Sequence, residues 1–88
     1  DEVMFKAKPV VEKFFLKRGI KFFRSAANFV LFKPDDPIRV AKILFENGFL
    51  VRSQNRENIE DTIRVSIGTF EQMLRFVEVY KEKILNSN

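Results

Sequence analysis

Arg64 stands out among the charged residues because of the pattern around it. It lies inside the stretch Thr62-Ile-Arg-Val-Ser-Ile-Gly-Thr-Phe-Glu-Gln72, where Ile63, Val65 and Ile67 alternate with Thr62, Arg64 and Ser66. A period of two marks a strand with one apolar and one polar face. Gly68 breaks the strand, and Thr69 with Gln72 three residues later reads as a capping box that opens a helix. A guanidinium on the polar face of such a strand has two readings. It is either a solvated cation that discourages edge pairing or a fork aimed at an anion.

Other chemistries are removed by composition. The 88 residues include neither cysteine nor histidine. Disulfides, thiolate nucleophiles, imidazole acid–base catalysis and ordinary zinc sites go with them. The net charge of +4 is carried entirely by residues 1–24. There Lys6, Lys8, Lys13, Lys17, Arg18, Lys21 and Arg24 oppose Asp1, Glu2 and Glu12, and the remaining nine basic and nine acidic residues balance. A basic, aromatic-rich end could meet nucleic acid. No RNP-type aromatic motif accompanies it, so a solvated helix face is the simpler reading. No apolar run approaches the roughly 18 residues of a membrane span, and no signal peptide is evident. A cytoplasmic protein without a membrane partner is expected.

The elements that must position Arg64 can be read in order. Residues 1–8 read as the remnant of an upstream helix, and residues 9–88 as one small domain, near the size at which a single core suffices. Pro9 suits a first helical turn, Val10, Val11, Phe14 and Phe15 recur at helical spacing, and Gly19 stops the helix. Ile20–Arg24 is a short strand, and Ser25-Ala26-Ala27 a bend. Asn28–Lys33 is a second strand, apolar on both faces and so expected to be central. Asp36 can cap a helix with Pro37 at its first position; Ile38, Ala41, Leu44 and Phe45 make its stripe, widened by Val40 and Ile43, until Asn47-Gly48. Phe49–Arg52 is a third strand and Ser53–Asp61 a polar loop. After the fourth strand a last helix runs from Thr69 to about Leu85, with Phe70, Met73, Val77, Tyr80 and Ile84 on one stripe.

The order α-β-β-α-β-β-α predicts an α+β sandwich. Strand four should insert between strands two and three as a split βαβ unit. The four-stranded sheet is then mixed or mainly antiparallel, with helices mostly on one face. The other face would carry Thr62, Arg64 and Ser66, plus whichever of Phe23, Val30 or Phe32 points that way. A small domain rarely leaves phenylalanines on an open sheet, so that face reads as half of an interface.

Three stretches carry a family resemblance. They are Gly19-Ile-Lys-Phe-Phe-Arg-Ser-Ala-Ala-Asn-Phe29, Glu46-Asn-Gly-Phe-Leu-Val-Arg52 and Ile63-Arg-Val-Ser-Ile-Gly-Thr69 with Glu71 behind it. The succession resembles the C-terminal small domain of histidinol-phosphate aminotransferases, pyridoxal-phosphate (PLP) enzymes of histidine biosynthesis. Related threonine-phosphate decarboxylases and other class I/II aminotransferases share much of it. The resemblance implies that Arg64 grips a substrate carboxylate and that Arg52 helps hold a substrate phosphate. It implies structural roles for Ser25, Asn28, Gly68 and Thr69. It also implies that the Schiff-base lysine and the residues binding PLP belong to a large domain that no part of this chain resembles. Isolated lysines such as Lys42 and Lys81 fall on helix surfaces. The chain alone is then expected to bind no cofactor and to be inactive, as a fragment, an excised domain or a detached copy. Its partner would be the large domain. Two other functions stay open: an interaction module that self-associates as a dimer through the uncovered sheet face, and a basic nucleic-acid binder using Lys13, Lys17, Arg18, Lys21 and Arg24.

Overall fold

Gly19 sets the first corner of the fold. It ends helix α1 (Lys8–Arg18) in the left-handed region, at φ 70°, where its own N–H and that of Ile20 return to the carbonyls of Leu16 and Phe15. A residue with a Cβ is disfavoured there. The computed structural model describes residues 3–54 and 61–86. Beyond the corner come β1 (Lys21–Phe23), β2 (Phe29–Lys33), α2 (Pro37–Glu46), β3 (Val51–Gln54), β4 (Thr62–Ser66) and α3 (Phe70–Val79). Wider, π-helical turns extend two of the helices, Val3–Ala7 ahead of α1 and Tyr80–Ile84 after α3.

The sheet order is β1-β2-β4-β3, and every neighbouring pair is antiparallel. β2 and β3 are therefore parallel to each other with β4 between them, the split unit that the element order implies. The α+β class, the central place of β2 and the layering all agree with the sequence pattern. Val30 and Phe32 of β2 and Ile63 and Val65 of β4 are fully buried in one core with residues of all three helices.

Phe15 sits at the middle of that core. Its ring centroid is 4.7 Å from Phe32, 5.8 Å from Tyr80 and 6.1 Å from Phe76, the last two edge-on. Phe49 meets Phe76 edge to face at 5.3 Å. Such tilted contacts are the favourable arrangements for aromatic quadrupoles. Arg39 of α2 donates from its two terminal nitrogens to the carbonyls of Ile84 and Lys83, both at 3.2 Å, and so ties α2 to the turn that follows α3.

Several expectations are corrected. On α2 only Val40 and Leu44 are buried; Ile38 and Phe45 are 83 % and 70 % exposed. Six apolar positions cover a wider arc than a helix lying on one sheet can bury. On α3 the core takes Phe76 and Val79, which the expected stripe omits, while Phe70 and Val77 are only half-buried. β3 starts at Val51 rather than Phe49, because the Phe49 N–H returns 3.0 Å to the Leu44 carbonyl and closes α2. Helix α1 begins at Lys8 rather than Pro9 and runs on from the preceding turn. Val30 and Phe32 point into the core, and Phe23 shares the open face with Phe29 and Leu31. Thr62 falls on the same face as Arg64, opposite Gln54, but is buried there rather than open. Of the Ser53–Asp61 loop, residues 53 and 54 belong to β3 and residues 55–60 lie outside the described residues.

Candidate functional site

Register decides what Arg64 meets. In an antiparallel sheet, residues paired across the strands share a face. One row of the open face therefore reads Phe23, Leu31, Arg64, Arg52 across β1, β2, β4 and β3. The next row pairs Phe29 with Ser66, and the Ser66 N–H donates to the Leu50 carbonyl at 3.0 Å. The guanidinium of Arg64, half-buried, lies 4.3 Å from the centroid of the Phe29 ring, diagonally across from it. A cation over an aromatic face is held by the ring quadrupole, so the fork has a fixed platform.

Arg52 is exposed and stands directly opposite Arg64. Together with Leu50, Val51 and Ser66 they line a shallow depression of about 220 Å³. None of these five residues carries a carboxylate. Two cations directly across a strand pair repel each other, and an anion between them would remove the repulsion. Two guanidinium forks can hold two acidic groups bidentately. Lys21 and Lys33 face each other on the same side of the sheet, with the Lys21 ammonium 5.5 Å from the Phe23 ring centroid. The open face is thus cationic over an apolar ground.

The motif residues lie at the ends of these strands. The Ser25 hydroxyl accepts from the Ala27 N–H at 3.0 Å, and the Asn28 carbonyl accepts from the Ile67 N–H at 3.0 Å, joining the bend to the end of β4. The Asn28 side chain is exposed. Thr69 and Gln72 complete their capping box, side chain to backbone in both directions, at 3.1 and 2.8 Å. A Cβ on Gly68 would come within 1.9 Å of Gln72 Oε1, the oxygen that accepts from Thr69. Gly68 therefore leaves room for the cap.

Lys8 has a role that its charge alone does not signal. It is buried, and its ammonium donates to the Ser25 carbonyl and, at 2.7 Å, to that of Ala27. The basic end does not form one patch. Lys21 lies on the open sheet face, Lys13 and Lys17 on the outside of α1, and Arg24 beside a hollow shared with Lys8, Glu12, Ser25 and Ala26. Lys42 is exposed, and Lys81 lines an open groove rather than a bare helix surface. Among the described residues no group of three or more acidic side chains could hold a metal ion, and no helix is long and apolar enough to cross a membrane.

No protein-family model matches the chain. Individual curated proteins do. A histidinol-phosphate aminotransferase of Desulfitobacterium hafniense (strain Y51) is 36 % identical over 74 residues, 83 % of this chain and 21 % of that protein. One from Symbiobacterium thermophilum is 41 % identical over 68 residues, covering 76 % of this chain and 19 % of the relative. One from Akkermansia muciniphila is 34 % identical over 71 residues, or 81 % and 20 %. The chain spans about one fifth of the length of these relatives. Over most of its own length, it is similar to a domain-sized part of that enzyme.

Proposed function

We propose that this chain, similar to one fifth of a histidinol-phosphate aminotransferase, serves as the small, substrate-gripping domain of such an enzyme. The observation that carries the reading is the pairing of Arg52 with Arg64 on the open face, in a depression without a carboxylate. Arg64, seated on Phe29, takes the substrate carboxylate; Arg52, more exposed, takes its phosphate. PLP, which supplies the electron sink in such enzymes, does not fit here. No lysine lines the depression, and the ammonium of buried Lys8 is committed to two backbone carbonyls. Cofactor and Schiff-base lysine then belong to a large domain covering the open sheet, in a cytoplasmic protein.

Self-association through the same face is the second reading, favoured by Leu50 at 73 % exposure beside half-buried Phe23, Phe29 and Leu31. Against it, the face presents Lys21, Lys33, Arg52 and Arg64, and pairing two copies would bring like charges together.

The test is kinetic, in the longer enzyme carrying this segment. Removing one partner of a desolvated charge pair costs about 2–5 kcal/mol, roughly 30- to 4,000-fold in kcat/KM for Arg64→Ala. Arg64→Lys should recover only part, because an ammonium cannot reproduce the fork. Turnover within a few-fold of the parent for Arg64→Ala would refute the clamp. A chain that dimerises at micromolar concentration and loses dimerisation with Leu50→Glu would favour the second reading.

A further inference from the structure

On the helical side, away from the arginines, α1 and α3 leave a groove of about 470 Å³ between them. Its floor is apolar: Val10 and Phe14 from α1, Leu74 and Val77 from α3. Its rim is charged, with Lys13, Lys17 and Arg18 along α1 and Lys81 beyond α3, against the single carboxylate of Glu78. Val10 with Phe14, Lys13 with Lys17, and Val77 with Lys81 are each four residues apart. Residues so spaced are stacked on one helix face, so floor and rim both run along the helix axes. Leu74, 44 % exposed, is the most open of the four floor residues.

We infer that this groove docks an acidic, amphipathic helix, with its apolar stripe on the floor and its carboxylates on the lysine rim. Apolar floors between helices take helical ligands through anchors at i, i+3, i+4 and i+7, and the excess of cations at the rim selects the sign of the flanks. A second copy of the chain is a poor occupant, since its own groove rim is basic. Nucleic acid is a poor one too. Binding single strands uses aromatic faces for stacking, whereas the Phe14 ring is buried, and Lys21, the next cation along the chain, stands on the opposite side of the sheet. The groove shares no lining residue with the depression that holds the arginine pair.

The experiment uses two synthetic peptides of roughly five helical turns that share a leucine stripe, one flanked by glutamates and the other by lysines, with single-stranded DNA of similar charge as a third probe. Anisotropy on the chain should show the acidic peptide binding at least about tenfold more tightly than its basic twin. Exposed Leu74→Glu and the double change Lys13→Glu with Lys17→Glu should each weaken it by at least about tenfold while leaving the melting temperature near that of the parent. Glu78→Lys should strengthen it. Absence of acidic-peptide binding up to about 1 mM, indifference to Leu74→Glu, or tighter binding of the DNA would each overturn the proposal, the last in favour of a nucleic-acid surface.

Discussion

Phe32 and Leu31 are neighbours on β2 and look in opposite directions. Phe32 is fully buried against Phe15, in a cluster of rings drawn from α1, α3 and the turn after α3. Leu31 is half-buried and stands opposite Arg64. The same contrast holds across the sheet. On the covered face, aromatic edges meet aromatic faces and the one ionisable side chain in the cluster is Tyr80. On the open face, Phe29 lies under Arg64 and Phe23 near Lys21, while the cations themselves face one another in two pairs. The chain's own helices complete the first face. The second is arranged in a way that an anion or an acidic surface would relieve.

The contrast breaks most visibly under truncation. Phe32→Ala should cost about 3–5 kcal/mol, the range for a buried phenylalanine, and much of the stability of so small a domain. Leu31→Ala one position away should cost well under half as much, since less surface returns to water; urea denaturation of the two variants gives the ratio. Equal losses would mean that the open face is as tightly packed as the core.

Alkaline pH sharpens the comparison next. Burial, with a smaller contribution from the Asp35 charge, pushes the Tyr80 hydroxyl well above its ordinary 10.0. The folded state keeps that proton where the unfolded chain has lost it, so the stability it supports is complete below pH 10 and drains away above. Tyr80→Phe should flatten the fall by about one proton, at most about 1.4 kcal/mol per pH unit. An unchanged slope between pH 10 and 11.5 would show that the hydroxyl is not shielded.

Smaller effects belong to the sheet ends and the open face. Gly68→Ala should displace the Gln72 side chain and cost about 1 kcal/mol, the worth of a helix cap; Thr69→Ala should cost the same, and the double variant little more. Arg64→Ala should lower the stability of the domain by only about 0.5–1 kcal/mol, the scale of an exposed cation–π contact. A loss of several kcal/mol in thermal melting would make Arg64 a structural residue.

Much of this was legible in the residues. Gly19, Asp36-Pro37 and the Thr69–Gln72 box punctuate the helices locally, and β2 reads as central because Phe29–Phe32 is apolar on both sides. The family resemblance of the motifs matches the relatives found. What was hidden depends on register. Arg52 faces Arg64 only because Phe49 closes α2 and delays the start of β3, and a slip of one residue would send Arg52 to the other face. The seat of Arg64 on Phe29 is diagonal across two strands 35 residues apart in sequence, a relation no local pattern reports. Lys8 reads as one cation among many, because nothing in its neighbours tells that carbonyls from Ser25 and Ala27 will surround it. Ile38 and Phe45 look like core because periodicity marks an apolar arc without marking how much of it is covered.

The place of β4 has a consequence for how the chain folds. It is the last strand in sequence and a middle strand in space, pairing Phe29 with Ser66 on one side and Val51 with Val65 on the other. α1, β1 and β2 can assemble from neighbours in sequence, and contacts of that kind form early. β3 has no partner until β4 arrives to join the two halves. Until β4 docks, the inner edge of β2 is an open template carrying Phe29, Val30, Leu31 and Phe32. Such edges recruit other chains. Any delay in docking β4 should therefore lower the yield of native protein on refolding, and more so at higher protein concentration.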